Sequence, residues 1–391
     1  MIAFCSAANP RVRWLRLVLL AATLSGMLCC IPLWLGNRLF PLAPILPGWL
    51  ILPSELGPFL LGLVLALLVA ATWRFRPCVL FFLAATLYLF GCDQNREQPW
   101  FYIYWVMLSL NLLPEPAALA ACRLAFFLVY FWAGVQKLNG TFFAEVPGWF
   151  VQPAVDLGLP NAIVAVMRGF VYLTPFLEIF AAIGLWFGKT RWFAIAIALI
   201  LHLGALLFLG PIGHDVNRVT WPWNIAMIAL LIVLFAAKEP GSLAQAIREL
   251  RRSWSGALVV GLYGFLPVLS FFGLWDAYLS FALYSYNLPT AEIYVSRSFL
   301  SRLPPALESY VYPVKNFNPA LQLPYMFEYS IWAQGEIGVP PLPEPRAFLV
   351  VFRHIAAYGA KEDDCWMLLE TRTGKVLLYR AGITHPTVIR Q

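Results

Sequence analysis

The chain has 391 residues, of which 61% are apolar, 16% are aromatic and only 12% are charged. Roughly a quarter of the residues in a soluble globular domain are charged, so this composition excludes that class. The formal net charge is +7. Because the basic residues stand between apolar runs, the charge indicates membrane topology and no nucleic-acid partner. The seven cysteines form no CxxC pair, so they predict neither a disulfide framework nor a metal site.

Long apolar runs recur from Trp14 to Trp275 and predict an all-α polytopic membrane bundle in residues 1–275. A helix needs about 20 apolar residues to cross a bilayer, which gives about nine transmembrane helices. Two of them, 77–92 and 99–113, are short, and either is also compatible with a re-entrant segment. The predicted limits are 14–36, 57–73, 77–92, 99–113, 118–138, 162–187, 192–210, 222–237 and 256–275.

The basic residues between these spans predict the orientation of the bundle. One side collects most of them, and the positive-inside rule makes that side cytoplasmic. The N-terminus is then cytoplasmic. An odd number of spans places the C-terminus outside the cell (inner) membrane. The side predicted to be cytoplasmic carries Arg11, Arg13, Arg16, Arg74, Arg76, Arg123, Lys189, Arg191, Lys238, Arg248, Arg251 and Arg252.

Residues 276–391 predict a small C-terminal extracytoplasmic domain rich in strands and loops. Proline pairs at 304–305 and 340–341 break any long helix there. Alternating apolar residues on either side of a Thr-Arg-Thr-Gly turn predict a β-hairpin. The predicted strands are Ala347–Phe352 and the two hairpin arms, Cys365–Glu370 and Lys375–Arg380.

Two ionisable residues stand out at the depth of the predicted membrane. Glu178 is 11 residues before Lys189, and His202 is 11 residues after Arg191, on the next, antiparallel helix. At about 1.5 Å per residue, both lie roughly 17 Å from the cytoplasmic turn, near mid-membrane. The helices therefore allow a Glu178–His202 pair. Such a pair is either a structural hydrogen bond that fixes the helix register, or a proton relay or ligand clamp.

A second polar group is predicted at the outer rim of the bundle. Tyr130, Gly134 and Lys137 share one face of the fifth span with Arg123. Acid, base, amide and imidazole side chains converge on this side, so we predict a substrate-binding site there. The predicted substrate-binding residues of this second group are Asp93, Gln94, Arg96, Gln98, Trp100, Tyr130, Asn139, His214, Asp215, Trp223 and Asn224, beside Lys137, and the mid-membrane residues Glu178 and His202 complete the predicted set.

Lys137 closes the fifth span and is the candidate catalytic residue. Burial beside another cation favours the neutral amine, which makes a lysine a base. Alternatively, Lys137 reaches the interface as an anchor, or pairs with Asp93 or Asp215 and stays charged. These readings give Lys137 different roles, as a base, a ligand contact or a passive anchor.

The stretch Ala133-Gly134-Val135-Gln136-Lys137-Leu138-Asn139 resembles Ala-Gly-Val-Lys-Lys-Leu-Asp of the vitamin K-dependent γ-carboxylase. Over roughly residues 12–275 the chain is similar to the bacterial relatives of that enzyme, the horizontally transferred transmembrane (HTTM) domain family. The resemblance implies a nine-span fold and a cavity for a membrane lipid or a reduced quinone, vitamin K or menaquinol-like. It also implies Lys137 as the base. The other segments similar to the relatives are Asp93-Gln94-Asn95-Arg96 with Gln98 and Trp100, the helices of Glu178 and His202, Trp221-Pro222-Trp223-Asn224, and Leu283-Tyr284-Ser285-Tyr286-Asn287.

The chain departs from the carboxylase at three places. Gln136 replaces the first lysine of the pair, and Glu97-Gln98-Pro99-Trp100 stands where the carboxylase has Trp-Asn-Asn-His. The segment after residue 275 is also much shorter than the lumenal region that binds the carboxylase's protein substrate. These departures argue against peptidyl-glutamate carboxylation itself.

The leading hypothesis is a membrane-embedded enzyme, carboxylase- or epoxidase-like, that binds a quinol or lipid with Lys137 as base. One alternative is a non-enzymatic binding or assembly protein, whose outer C-terminal domain docks a protein partner. Another is a quinone-linked oxidoreductase subunit resembling the DoxX-type proteins.

Overall fold

The computed structural model describes residues 7–210, 213–215, 217–237, 242–251, 254–314 and 323–390. Lys238 and Arg252, two of the basic residues used to predict the orientation, lie outside these ranges. The described residues are mostly helical. The helices before residue 275 are α1 (Pro10–Cys29), α2 (Ile31–Trp34), α3 (Gly57–Ala70), α4 (Phe75–Cys92), α5 (Pro99–Leu110), α6 (Glu115–Gln136), α7 (Gly140–Phe150), α8 (Gln152–Asp156), α9 (Asn161–Gly184), α10 (Arg191–Leu209), α11 (Thr220–Phe235), α12 (Leu243–Leu250), α13 (Trp254–Val259) and α14 (Leu266–Leu269).

Within the described ranges, six helical segments are long and apolar enough to cross a membrane. They are α1, the segment Gly48–Ala70 that includes α3, and the helices α4, α6, α9 and α10. α9 and the α3 segment bury little of their apolar surface against the rest of the chain. Apolar helices with so much uncovered surface are typical of a lipid environment. The chain is therefore a multi-pass membrane protein, as its composition predicts.

The other three predicted spans coincide with shorter apolar helices. α5 has 12 residues and α11 has 16, and the third, Gly256–Phe272, contains a π-helix at Val260–Phe265. Crossing a bilayer takes about 20 residues. Most of α5 is buried by neighbouring helices, including Trp100 and Tyr104, so protein rather than lipid surrounds it. The membrane bundle is confirmed, whereas a count of nine crossings stays a prediction.

α6 is the most deeply buried of the six long helices and lies at the centre of the bundle. Its C-terminal end packs tightly against α9. A Cβ added at Gly134 would lie 2.6 Å from the carbonyl oxygen of Pro175 and 2.8 Å from Cγ1 of Ile179. Only glycine allows this approach of two helix backbones.

Helices α7 and α8 follow α6, in a segment for which the sequence predicted only a connection. Phe142 and Val146 of α7 are buried against Val164 and Val171 of α9. The side chain of Asn139 caps α7 by accepting a hydrogen bond from the Phe142 N–H at 2.8 Å. An apolar helical hairpin therefore covers the N-terminal half of α9.

The C-terminal part forms a six-stranded antiparallel sheet of order β2-β3-β1-β4-β5-β6. The predicted hairpin is confirmed, because β4 pairs with β5. The strand predicted at Ala347–Phe352 is wrong, since these residues lie in a helix. Its buried residues are Ala347, Phe348, Val351, Phe352 and Ile355, a helical spacing. The elements are β1 (Thr290–Val295), α15 (Arg297–Leu300), α16 (Pro305–Glu308), β2 (Val311–Pro313), β3 (Tyr325–Phe327), α17 (Tyr329–Ile337), α18 (Pro345–Ala356), β4 (Cys365–Glu370), β5 (Val376–Arg380) and β6 (Thr387–Arg390).

The C-terminal domain packs against the C-terminal end of α1. The ring of Trp332 in α17 meets Phe40 with centroids 4.9 Å apart. A Cβ at Gly338, directly after α17, would lie 3.4 Å from the Cys29 carbonyl oxygen. At the other end, the N–H of Asn9 donates to Glu115 Oε2 at 2.8 Å. The C-terminal domain thus covers one end of the bundle, and the contact between Asn9 and Glu115 lies at the other end.

The contact at Gly134 predicts the cost of a side chain there. Gly134→Ala forces α6 away from the Pro175 carbonyl, and we expect a loss of about 1–3 kcal/mol in unfolding free energy, typical of overpacking. Gly169→Ala in α9 is the matched control, because a Cβ there meets nothing within 4 Å. Thermal unfolding of both variants in detergent measures the difference. Equal melting temperatures for the two variants would contradict the close α6–α9 contact.

Candidate functional site

Two adjacent cavities open beside the C-terminal end of α6. Their volumes are about 150 Å³ and about 370 Å³. The smaller lies between α6, α10 and α11, and the larger between α7, α9 and α10. Both are lined mainly by apolar side chains. The residues that line both cavities are Lys137, Glu178, Leu201, Ala205, Leu209 and Tyr284.

Lys137 and Glu178 form an ion pair on the wall that the two cavities share. Lys137 Nζ lies 2.7 Å from Oε2 and 2.9 Å from Oε1 of Glu178, and donates to the Ala133 carbonyl oxygen at 3.2 Å. The side chains are only 11% and 17% exposed. The close packing of α9 on Gly134 brings Glu178 to Lys137. The prediction that Lys137 pairs with Asp93 or Asp215 was therefore wrong.

Three further polar side chains run from α6 across the smaller cavity. Tyr130 Oη is hydrogen-bonded to His202 Nε2, and His202 Nδ1 lies 2.7 Å from Asn224 Oδ1. Asn224 Nδ2 donates to the Thr220 carbonyl oxygen at 2.7 Å, which orients the amide. An amide oxygen only accepts, so Nδ1 carries the proton and Nε2 accepts from the Tyr130 hydroxyl. A neutral imidazole satisfies every bond in this chain.

The predicted Glu178–His202 pair does not form. The two residues line the same cavity, so the prediction of a common depth agrees with the structure. Glu178 turns to Lys137 instead, and His202 bonds to Tyr130 and Asn224. The partner of each side chain depends on how its helix is rotated about its own axis. The depth of a residue along the helix carries no information about that rotation.

The larger cavity is an apolar extension of the smaller one. Its walls carry Phe142, Val146 and Phe150 from α7, and Phe170 and Phe208 from α9 and α10. Aliphatic and aromatic side chains offer a hydrocarbon chain the same surroundings as lipid does. The shared wall offers the ammonium group of a lysine. The arrangement fits a ligand with a polar head and an apolar tail.

Tyr284 lines both cavities but was not among the predicted site residues. Its only sequence signal was the resemblance of the segment 283–287. The backbone at Tyr284 is left-handed, with φ of 50°, which is uncommon for a residue other than glycine. The apolar walls contributed by α7 were also missed, because the sequence predicted no helix there. Trp223 was predicted and does line the smaller cavity.

The acidic and amide residues after α4 do not join this site. They bind the C-terminal domain and the loop before α3 instead. Asp93 forms an ion pair with Arg38 and accepts from the Ala43 N–H at 3.1 Å. Gln94 accepts a hydrogen bond from Arg346 of α18. The predicted convergence of Asp93 and Gln94 with Lys137 was wrong.

Arg96, Gln98 and Trp100 likewise have structural partners. Arg96 donates to the Leu33 and Leu89 carbonyl oxygens at 3.1 and 2.7 Å. Gln98 Nε2 donates to the Pro340 carbonyl oxygen at 3.1 Å. Trp100 packs on α1, where a Cβ at Gly26 would lie 2.5 Å from its ring. Neither cavity is lined by these residues. We use the name polar seam for the contact zone between residues 93–98 and the C-terminal part of the chain, which contributes residues 276–277, Glu344 and α18.

The remaining predicted residues lie near the cavity mouth. His214 Nε2 donates to the Trp149 carbonyl oxygen at 2.8 Å, and the two rings stack with centroids 4.2 Å apart. Asp215 is exposed. Asn139, besides capping α7, donates to the Ser285 carbonyl oxygen at 2.8 Å. Neither cavity is lined by these three residues, so their assignment to the binding surface stays a prediction.

The polar seam contains carboxyl groups with raised pKa values. Burial, with Asp276 nearby, raises the pKa of Glu97 to about 8. Burial and Asp276 also raise the pKa of Glu344 to about 7. Arg346 faces both groups and binds Asp276 at 2.8 Å. Glu344 also accepts from the Ala277 N–H at 2.7 Å. The seam therefore holds protons near neutral pH.

These raised pKa values predict the pH dependence of stability. The folded protein holds protons that unfolded Glu97 and Glu344 release near 4.5. Their contribution is fully present below that pH and is lost as pH rises through about 7 and about 8. We expect the melting temperature to fall by several degrees between about pH 6 and about pH 9. Glu97→Gln should flatten this fall, whereas Glu308→Gln on exposed α16 should not. Parallel curves for the two variants would contradict the assignment.

The chain was also compared with known proteins. Comparison with protein-family models, with curated proteins and with solved structures finds no match.

Proposed function

We propose that this protein is a multi-pass membrane enzyme that binds a quinol, or another lipid with a polar head, in the twin cavity. The Lys137–Glu178 ion pair, at 2.7 Å on the wall shared by two apolar cavities, is the observation that carries the proposal. A buried ion pair at membrane depth costs free energy and usually marks a functional site. Lys137 contacts the head, and the larger cavity takes the tail.

The ion pair allows Lys137 to become a base without bringing net charge into an apolar site. Transfer of a proton from Lys137 Nζ to Glu178 converts the pair into a neutral amine and a neutral acid. The amine then accepts a proton at Nζ from an acidic group beside it, which restores the ammonium group. A quinol, when bound, supplies such an acidic ring hydroxyl. Tyr130 and His202 lie on the same cavity and orient a polar head by hydrogen bonding.

The resemblance to the HTTM family and the γ-carboxylase supports the same proposal. It assigns the base to Lys137, and Glu178, His202, Trp223 and Asn224 line the same cavity as that residue. A reduced quinone of the vitamin K or menaquinol type is the cofactor that it implies. Peptidyl-glutamate carboxylation is not part of the proposal, because Gln136 and Glu97–Trp100 depart from the carboxylase pattern.

We further propose about nine crossings of the cell inner membrane, with the N-terminus in the cytoplasm and the C-terminal domain outside. Basic residues gather at the end of the bundle away from that domain. Arg11 and Arg123 both donate to the Leu234 carbonyl oxygen, at 3.1 and 2.9 Å. The opposite end carries the polar seam. This charge asymmetry agrees with a cytoplasmic basic end.

A non-enzymatic lipid-binding or assembly protein is the second candidate. One observation favours it: both oxygens of Glu178 lie within 3 Å of Lys137 Nζ. A bidentate carboxylate favours the ammonium form of the lysine, which suits a contact with an anionic or carbonyl head. In this case the C-terminal domain docks a protein partner.

Quinone binding tests the proposal directly. A short-chain menaquinone quenches tryptophan fluorescence, and Trp223 on the cavity wall is the expected reporter. We expect Lys137→Met and Glu178→Gln to weaken the affinity by about tenfold or more, since each removes a charge-assisted contact. Lys189→Ala and Glu145→Gln, both exposed, are the matched controls. The double variant Lys137→Met with Glu178→Met replaces the pair by apolar groups and protects against misfolding. Unchanged menaquinone affinity in all three cavity variants would contradict the proposal.

Lys137→Arg separates the enzyme from the binding protein. Arginine keeps the positive charge but does not serve as a base near neutral pH. The enzyme predicts that the variant binds the reduced quinone and no longer consumes it under air, as followed by chromatography. Consumption of the quinone by Lys137→Arg at the wild-type rate contradicts the role of Lys137 as base. Binding without consumption by the unmodified protein favours the second candidate.

A further inference from the structure

Gln136, the residue before Lys137, is a junction of three separate segments. Its side chain is completely buried. Nε2 donates to Ser270 Oγ at 3.0 Å, and Oε1 accepts from Asn287 Nδ2 at 2.7 Å and from Arg372 Nη2 at 2.9 Å. One amide therefore ties the end of α6 to the last apolar helix, to the segment after it and to the C-terminal domain.

The last turn of α6 is held by further bonds from the same segments. Asn139 Nδ2 donates to the Gln136 carbonyl oxygen at 2.9 Å and to the Ser285 carbonyl oxygen at 2.8 Å. The Lys137 N–H donates to the Gly134 carbonyl oxygen at 3.1 Å. The backbone that carries the Lys137 side chain thus ends in a network centred on Gln136. A shift of Gln136 moves Lys137.

Arg372 reaches this network from the turn between β4 and β5. The turn is tight, because the Gly374 N–H donates to the Thr371 carbonyl oxygen at 2.9 Å and Gly374 has a φ of 81°. The guanidinium group is largely buried, and burial lowers the pKa of Arg372 to about 10. Within the described ranges, no acceptor lies within hydrogen-bond distance of its Nε or Nη1. Burying a cation in this way is costly, so the contact with Gln136 is specific rather than incidental.

The same network holds Tyr284, which lines both cavities. Tyr284 and Tyr286 have left-handed backbones, with φ of 50° and 53°. Non-glycine residues keep this conformation only where their surroundings impose it. Here the neighbouring Ser285 and Asn287 are bonded to Asn139 and Gln136. The position of the segment therefore depends on the same anchor as Lys137.

We propose that Arg372 is a positioning residue for Lys137. By bonding the Gln136 amide, it fixes the last turn of α6, and the C-terminal domain thereby controls the wall that the two cavities share. Loss of the Arg372 contact frees both the ammonium group and the Tyr284 segment. The inference rests on the proposed function only in treating Lys137 as the ligand contact.

The reactivity of Lys137 tests this inference without any ligand. Acetylation by a small amine-reactive ester is followed by peptide mass spectrometry, with exposed Lys189 as the internal reference. We expect Arg372→Met and Gln136→Met each to raise the Lys137 rate, relative to Lys189, by about tenfold, the effect of one hydrogen bond to a charged group. The double variant should exceed neither single variant, because both remove the same contact. Arg372→Lys keeps a donor and should restore most of the protection, which also carries the test if Arg372→Met misfolds.

Arg390→Met in β6 is the matched control, since Arg390 is an exposed arginine of the same domain. It should leave the Lys137 rate unchanged. A Lys137 rate in Arg372→Met equal to that of the unmodified protein overturns the inference, as does an additive double variant. Menaquinone affinity separates the two proposals. If the Lys137 and Glu178 variants lose affinity while the Arg372 and Gln136 variants keep it, only this inference fails. If the Arg372 variant changes the Lys137 rate and no variant changes affinity, only the proposed function fails.

Discussion

The ion pair between Lys137 and Glu178 is the interaction on which the candidate site depends. Two opposite charges are stable at this depth only if they meet with good geometry, because the surroundings are apolar. Gly134 makes that possible by letting α9 approach α6 to within contact of the Pro175 carbonyl. The pair then occupies the wall shared by the two cavities, which makes it accessible to a ligand from either one. A structural ion pair sealed between helices would have no such access.

The polar residues of the chain are divided between two places with different tasks. Tyr130, His202 and Asn224 form a hydrogen-bonded chain beside Lys137, inside the bundle. Asp93 and its neighbours form the polar seam, which joins the bundle to the C-terminal domain. Gln136 links the two, because it contacts Arg372 of that domain and precedes Lys137 directly. We propose that the C-terminal domain, through this contact, helps to position the wall of the cavity.

Several features of the site follow from the sequence, and others do not. Helical spacing placed Tyr130 and Lys137 on one face, and counting from the Lys189 turn placed Glu178 and His202 at one depth. The partners of Glu178 were mistaken, because the sequence does not report how helices rotate about their axes. Asp93 was assigned to the wrong place, because the loop after α4 contacts the C-terminal domain. No local sequence pattern encodes how that domain packs on the bundle. Ala347–Phe352 has the β-branched content of a strand, but packing on the sheet favours the helical period of its buried residues. No sequence pattern identified Arg372 as a contact of Gln136, since the two are 236 positions apart.

The central claim is that the cavity beside the Lys137–Glu178 pair holds a polar-headed lipid. Native mass spectrometry of the purified protein, with extraction and identification of the bound lipids, tests it most directly. We expect a quinone or another polar-headed lipid to remain bound to the unmodified protein and to Lys189→Ala, and to be lost from Lys137→Met. The same lipid complement on Lys137→Met as on the unmodified protein, with the variant still folded, would contradict it.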